Sequence, residues 1–64
     1  MPSIARVRQR NGYAYYVKDG YGGFVDSDGF SGQRAVRHPV LRAAQRAYRS
    51  YILALGWNPE TFAI

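Results

Sequence analysis

Apolar and polar positions alternate from Ile4 to Lys18. After a glycine-rich middle, apolar positions recur every three or four residues from Val40 to Leu55. The first period is that of a strand and the second that of a helix. Inside the alternating stretch, Asn11-Gly12 divides two β-prone runs. A type I′ hairpin turn needs positive φ at both central residues, which Asn-Gly supplies readily. Strands over 3–10 and 13–18 follow. This turn predicts Arg10 opposite Tyr13, Arg8 opposite Tyr15 and Arg6 opposite Val17 on one face. On the other, Gln9 faces Ala14, Val7 faces Tyr16 and Ala5 faces Lys18. The face with Ala5, Val7, Ala14 and Tyr16 is the one expected to be buried under the helix. The face with Arg6, Arg8, Arg10, Tyr13 and Tyr15 is expected to be open.

The segment Asp19-Gly20-Tyr21-Gly22-Gly23 reads as a turn or wide loop, and Phe24-Val25-Asp26 as a short third strand. Ser27-Asp28-Gly29 closes that strand. Residues 30–36 fit either a fourth strand or an extended approach to the helix. Pro39 suits the first helical position, and neither Gly nor Pro interrupts Val40 to Leu55. Steps of roughly 100° put Val40, Leu41, Ala44, Ala47, Tyr48, Tyr51, Ile52 and Leu55 on one face. Gly56 then predicts a left-handed stop, with Trp57 folding back toward Ile52. Asn58-Pro59-Glu60 reads as a short capped turn, and Phe62 and Ile64 as tail residues that complete the core. The expected fold is α+β: a three- or four-stranded antiparallel sheet (about 3–36) packed against one C-terminal helix (about 39–55), with a tail (56–64), all in one domain.

Sixty-four residues are close to the lower limit for a self-sufficient core, and the chain has no cysteine to staple it. Aromatic residues must therefore carry much of the packing, and a homodimer is an open alternative. Nine Lys and Arg stand against four Asp and Glu, a formal net charge of +5. Such a surplus suits nucleic acid or another polyanion and argues against a mimic of DNA. No apolar run approaches the ~20 residues that span a bilayer, which excludes a membrane partner of that kind. With no cysteine and no leader pattern at the start, the chain reads as cytoplasmic.

Catalytic constellations are missing from the sequence, and the chain reads as a non-enzyme. His38 is the one histidine and precedes Pro39, where a loop or capping role is the default. Asp26 and Asp28 lie two apart at a glycine-flanked turn, a poor setting for a carboxylate of raised pKa. Asp26-Ser27-Asp28-Gly29 resembles the start of a calcium loop but lacks its later oxygen ligands, so no metal or cofactor is expected. Gly20-Tyr21-Gly22-Gly23 matches no phosphate loop.

Chemistry concentrates instead on the basic residues. Arginine pairs with phosphates and guanine edges while aromatic rings stack on bases, so the interleaving of Arg6, Arg8 and Arg10 with Tyr13 and Tyr15 suits a nucleic-acid surface. The plainer alternative is a solvated face with Arg stems lying over Tyr rings. Lys18 extends the basic hairpin. Arg42, Arg46 and Arg49 form a second stripe on the outer helix face, with Leu53 in the same arc, and such a stripe is ordinarily a helix's wet side. With about five or six phosphate contacts, log K would fall with log salt at a slope of about −5 on B-DNA.

The stretch Gly12-Tyr13-Ala14-Tyr15-Tyr16-Val17, the pair Gly29-Phe30 and the run Leu41-Arg42-Ala43-Ala44-Gln45-Arg46-Ala47 together resemble the arm-binding domains of tyrosine-recombinase integrases and the related plant Apetala-type DNA-binding domains. The resemblance covers about residues 4–55, and the segment between Phe30 and the helix is longer than the family's link. It implies a sheet laid in the major groove, with Arg6, Arg8, Arg10, Tyr13 and Tyr15 as readers, in a chain acting as an accessory or regulatory DNA-binding factor. A rival reading comes from a different class: a small phage or mobile-element protein that binds and inhibits a host protein. Tyr and Arg are also favoured anchors of protein interfaces.

Overall fold

The computed structural model describes residues 1–61. The fold is α+β: four antiparallel strands and one C-terminal helix. They run β1 (Ser3–Gln9), β2 (Gly12–Lys18), β3 (Phe24–Val25), β4 (Ser31–Gly32) and α1 (Leu41–Ala54), with sheet order β1-β2-β3-β4. The expected tail packing of Phe62 and Ile64 lies outside the described residues.

The hairpin forms, but its turn differs from the predicted one. Gln9 pairs with Gly12, so Arg10 and Asn11 are the two turn residues, and Arg8 faces Tyr13, Arg6 faces Tyr15 and Val7 faces Ala14. No described residue other than glycine has positive φ, which rules out the left-handed Asn11 that a type I′ turn demands. Gly12, at φ +138°, takes the unusual backbone one position later, as the first residue of β2. Each partner thereby shifts by two places. A shift of two preserves the side-chain alternation, so the same residues still share each face.

Which face meets the helix is a second correction. Val17 pairs with Ile4 on one side and with Val25 on the other, so these three share a face. Val17 and Val25 are buried with Ala44, Ala47, Tyr48, Tyr51 and Ile52 of α1, and Ile4 and Tyr15 pack against this cluster. The helix therefore covers the face that also carries Arg6, Arg8 and Tyr13. Val7, expected in the core, is 43% exposed on the opposite face. That face also bears Tyr16 and Phe24, whose rings meet edge-on at 6.1 Å. The reason is length. A seven-residue strand spans about 23 Å, and the helix-side face is apolar at one end and basic at the other. The hairpin is amphipathic along its length as well as across it.

The inner face of α1 is as its periodicity indicates for Ala44, Ala47, Tyr48, Tyr51 and Ile52. Val40, Leu41 and Leu55 at its ends stay exposed. The stop is the expected one: Trp57 N–H donates to the Ile52 carbonyl at 3.1 Å and Gly56 N–H to that of Leu53 at 2.9 Å. Asn58 caps a single turn by accepting from Glu60 N–H at 3.0 Å. Among the described residues, Ile52, Val17 and Val25 are the large side chains wholly removed from solvent, each contributing roughly 1.5–3 kcal/mol. So small a core leaves the loops a large share in fixing the sheet.

Both loops use one device. Asp19 Oδ1 accepts from Tyr21 N–H at 2.7 Å and Gly23 N–H at 2.9 Å. Asp26 Oδ1 accepts from Asp28 N–H at 2.9 Å and Phe30 N–H at 3.0 Å. In each, the aspartate's own N–H donates to the carbonyl four residues on, at 3.1 Å and 2.9 Å. An aspartate at the end of a strand thus folds the next five-residue hairpin loop around its carboxylate.

Candidate nucleic-acid interface

The ribbon that carries the arginines is placed by a contact far away in sequence. His38 N–H donates to the Tyr15 carbonyl at 2.7 Å, and the His38 carbonyl accepts from Tyr15 N–H at 2.9 Å. The buried His38 ring also lies with Nε2 3.0 Å from the Val25 carbonyl, an acceptor, so Nε2 is the donor in this bond. The chain enters α1 at Leu41, three residues on, beside the middle of β2. From there α1 runs back toward the N-terminus, where the Tyr48 hydroxyl lies 3.5 Å from the Pro2 carbonyl. The hairpin beyond Arg6 and Tyr15 therefore extends past the start of the helix as a two-stranded ribbon.

Arg6, Arg8 and Arg10 are all exposed on or at the end of this ribbon. The Arg6 guanidinium carbon lies 4.3 Å from the centre of the Tyr13 ring, its diagonal cross-strand neighbour. A stacked pair of this kind stabilises an exposed site by roughly 0.5–1 kcal/mol and stiffens the long arginine stem. Tyr13 remains 43% exposed. Arg37 joins the tip: with Gln9, Arg10, Asn11, Gly12 and Tyr13 it lines a shallow cleft of about 210 Å³. No local pattern marks Arg37 as part of the site, because the Tyr15–His38 bridge that brings it there joins segments 23 positions apart.

The remaining residues of the basic set do not gather at the tip. Tyr15 is half-buried against the core and holds the ribbon's base instead of presenting its ring. Lys18 is exposed at the far end of β2, opposite Ser3 and on the face away from α1. Arg42, Arg46 and Arg49 are exposed along the outer side of α1, and Leu53 beside them is 54% exposed. Arg42 sits in the first turn, nearest the ribbon. That turn has no acidic residue, and its N-cap, Val40, makes no side-chain cap bond.

Negative charge is held elsewhere. The Asp19 loop lies at the opposite end of β2 from the Arg10–Asn11 turn, about 23 Å away along a seven-residue strand. The carboxylates of Asp19 and Asp26 accept from backbone N–H groups of their own loops. Among the described residues, no group of three or more His, Cys, Asp or Glu could hold a metal ion. No described helix is long and apolar enough to cross a membrane. No protein-family model, curated protein or solved structure matches this chain.

Proposed function

We propose that the chain is a non-catalytic nucleic-acid-binding protein, an accessory or regulatory factor with DNA as its favoured ligand, and that it acts through the ribbon tip. The observation that carries this reading is the row of exposed arginines on a projecting two-stranded ribbon, one of them stacked on Tyr13. A ribbon of two strands fits the major groove of duplex DNA, about 12 Å wide. Arg8, Arg10 and Arg37 are free to reach phosphates or base edges, while Arg6 and Tyr13 stiffen the platform. The contact surface is therefore the ribbon that outruns the helix, since the sheet face turned away from α1 offers Lys18 at its far end and mainly Ala5, Val7 and Tyr16 between.

The test is fluorescence anisotropy with duplex DNA, single-stranded DNA and RNA over a series of salt concentrations. The double variant Arg8→Ala/Arg10→Ala is expected to weaken duplex binding by at least about tenfold and to reduce the salt slope by about 2. An unchanged affinity and slope would remove the proposal. A second reading, capture of a host protein by a phage or mobile-element factor, draws on the exposure of Leu53 among the helix arginines. It requires that no nucleic acid binds with a steep salt dependence.

A further inference from the structure

We propose that the sheet face turned away from α1 is the surface on which two copies of this chain pair, giving a layered helix–sheet–sheet–helix dimer. The face is built from the opposed pairs Ala5 with Tyr16 and Val7 with Ala14, and from Phe24 packed edge-on against Tyr16. Ala14 is already buried among its neighbours, Ala5, Tyr16 and Phe24 are half-buried, and Val7 stands exposed. The chain's one described helix lies on the other side, so no helix covers these residues. Val7 is 43% exposed, and Phe30, at the rim, is 69% exposed. Lys18 and Ser3 stand at one end of this face, and the apolar stretch between them and the turn is of the kind that a second layer ordinarily covers.

Three observations select a second copy as that layer. First, the guanidiniums of Arg6 and Arg8 project from the opposite face, so apposing two of these faces brings no arginine row against another. Edge-to-edge pairing of two β1 strands is the competing self-association. β1 is an edge of the sheet, but symmetric antiparallel pairing centred on Val7 would set Arg6 of each copy against Arg8 of the other. Second, the groove beside Phe24, about 320 Å³, is lined by both signs of charge, Asp26 and Arg34, together with Phe30 and Val36. A two-fold interface meets itself, so a patch holding an acid and a base can set each against its opposite. Asp26 takes its two loop N–H groups on Oδ1, which leaves Oδ2 to accept from a partner's arginine. Third, the size is right for a reversible dimer. Only β1 and β2 reach about 23 Å, while β3 and β4 are two residues each, so the face buries less than the ~800 Å² per partner of a standard interface and a weak, reversible association is expected.

Sedimentation velocity on the free chain, with no nucleic acid present, tests this apart from the binding proposal. From about 5 μM to about 1 mM the wild type is expected to pass from monomer to dimer. Val7→Glu, Phe30→Ser and Arg34→Glu are each expected to raise the midpoint by tenfold or more, while Leu53→Ser on the helix leaves it unchanged. Circular dichroism checks that each variant is folded. Should Val7→Glu unfold, Phe30→Ser decides, because Phe30 is largely in solvent. A wild type that stays monomeric throughout overturns the proposal, as does a dimer that survives Phe30→Ser and Arg34→Glu or is lost in Leu53→Ser.

Discussion

Burial of Tyr51 against the sheet raises its hydroxyl pKa above the ordinary tyrosine value, and the charge of Asp19 and then Tyr21 add to the effect. The folded state thus holds Tyr51 neutral at a pH where the unfolded chain, with a pKa of about 10, has begun to lose the proton. Its contribution is complete below about pH 10 and is lost as pH rises through the higher folded value. In thermal melts between about pH 9 and 11, Tyr51→Phe is expected to lose less stability than the wild type; equal losses would show that other tyrosines dominate. Two glycines make a second comparison at this scale. Gly22 and Gly29 share nearly the same backbone, φ +90° and +89°. A Cβ on Gly22 would meet open space, whereas one on Gly29 would lie 2.7 Å from Ser50 Cβ and 3.1 Å from Tyr51 N. Gly22→Ala is expected to cost about 1 kcal/mol from backbone strain alone. Gly29→Ala should cost about 3 kcal/mol, because loop and helix must also separate. Urea denaturation of both variants measures the difference, and similar costs would show that the close approach to α1 relaxes easily.

The two aspartate-closed loops are the elements on which a small sheet depends, and their burial separates them. Asp19 is 7% exposed and its bond from Gly23 N–H is buried, whereas both bonds to Asp26 are exposed. Removing a carboxylate that satisfies buried N–H groups leaves them unpaired at about 1–3 kcal/mol, while water replaces an exposed acceptor at little loss. Asp19→Ala should therefore destabilise by about 2–3 kcal/mol and Asp26→Ala by about 1 or less, read as a shift in denaturation midpoint. The reverse order would mean that the Asp26 loop carries more of the β3–β4 pairing than its exposure suggests. These loops were legible in sequence as turns, since Gly and Asp punctuate them, and so was the helix from its inner face to its Gly56 stop. The shared closure shows in sequence only as Asp at the first and Gly at the fourth place of each loop, Asp19 with Gly22 and Asp26 with Gly29, a match too short to mark one device when the other three places differ. Register failed at one backbone angle: Asn11 permits positive φ but does not impose it, and the turn closed one residue earlier.

For the whole molecule, alternation along the hairpin separates Arg6, Arg8, Tyr13 and Tyr15 from Ala5, Val7, Ala14 and Tyr16, and that partition stands. It does not say which set a helix of limited length will cover. A 14-residue helix is about 21 Å long, and this one is set back toward Pro2. Its apolar face found Ile4, Val17 and Val25 at one end of the basic face, leaving the arginines uncovered beyond its start. The same offset decides which helix cations can join the ribbon. Arg42 lies in the first turn, closest to the ribbon, and Arg49 lies seven residues or about 10 Å further along the axis, away from it. A duplex gripped by the ribbon would pass the start of α1 and leave its far end untouched. Arg42→Gln is therefore expected to weaken DNA binding several-fold and lower the salt slope by about 1, with Arg49→Gln close to wild type. Equal losses from the two would instead place the ligand along the whole outer face of the helix. In that case the stripe Arg42, Arg46 and Arg49 would be the principal contact and the ribbon its accessory.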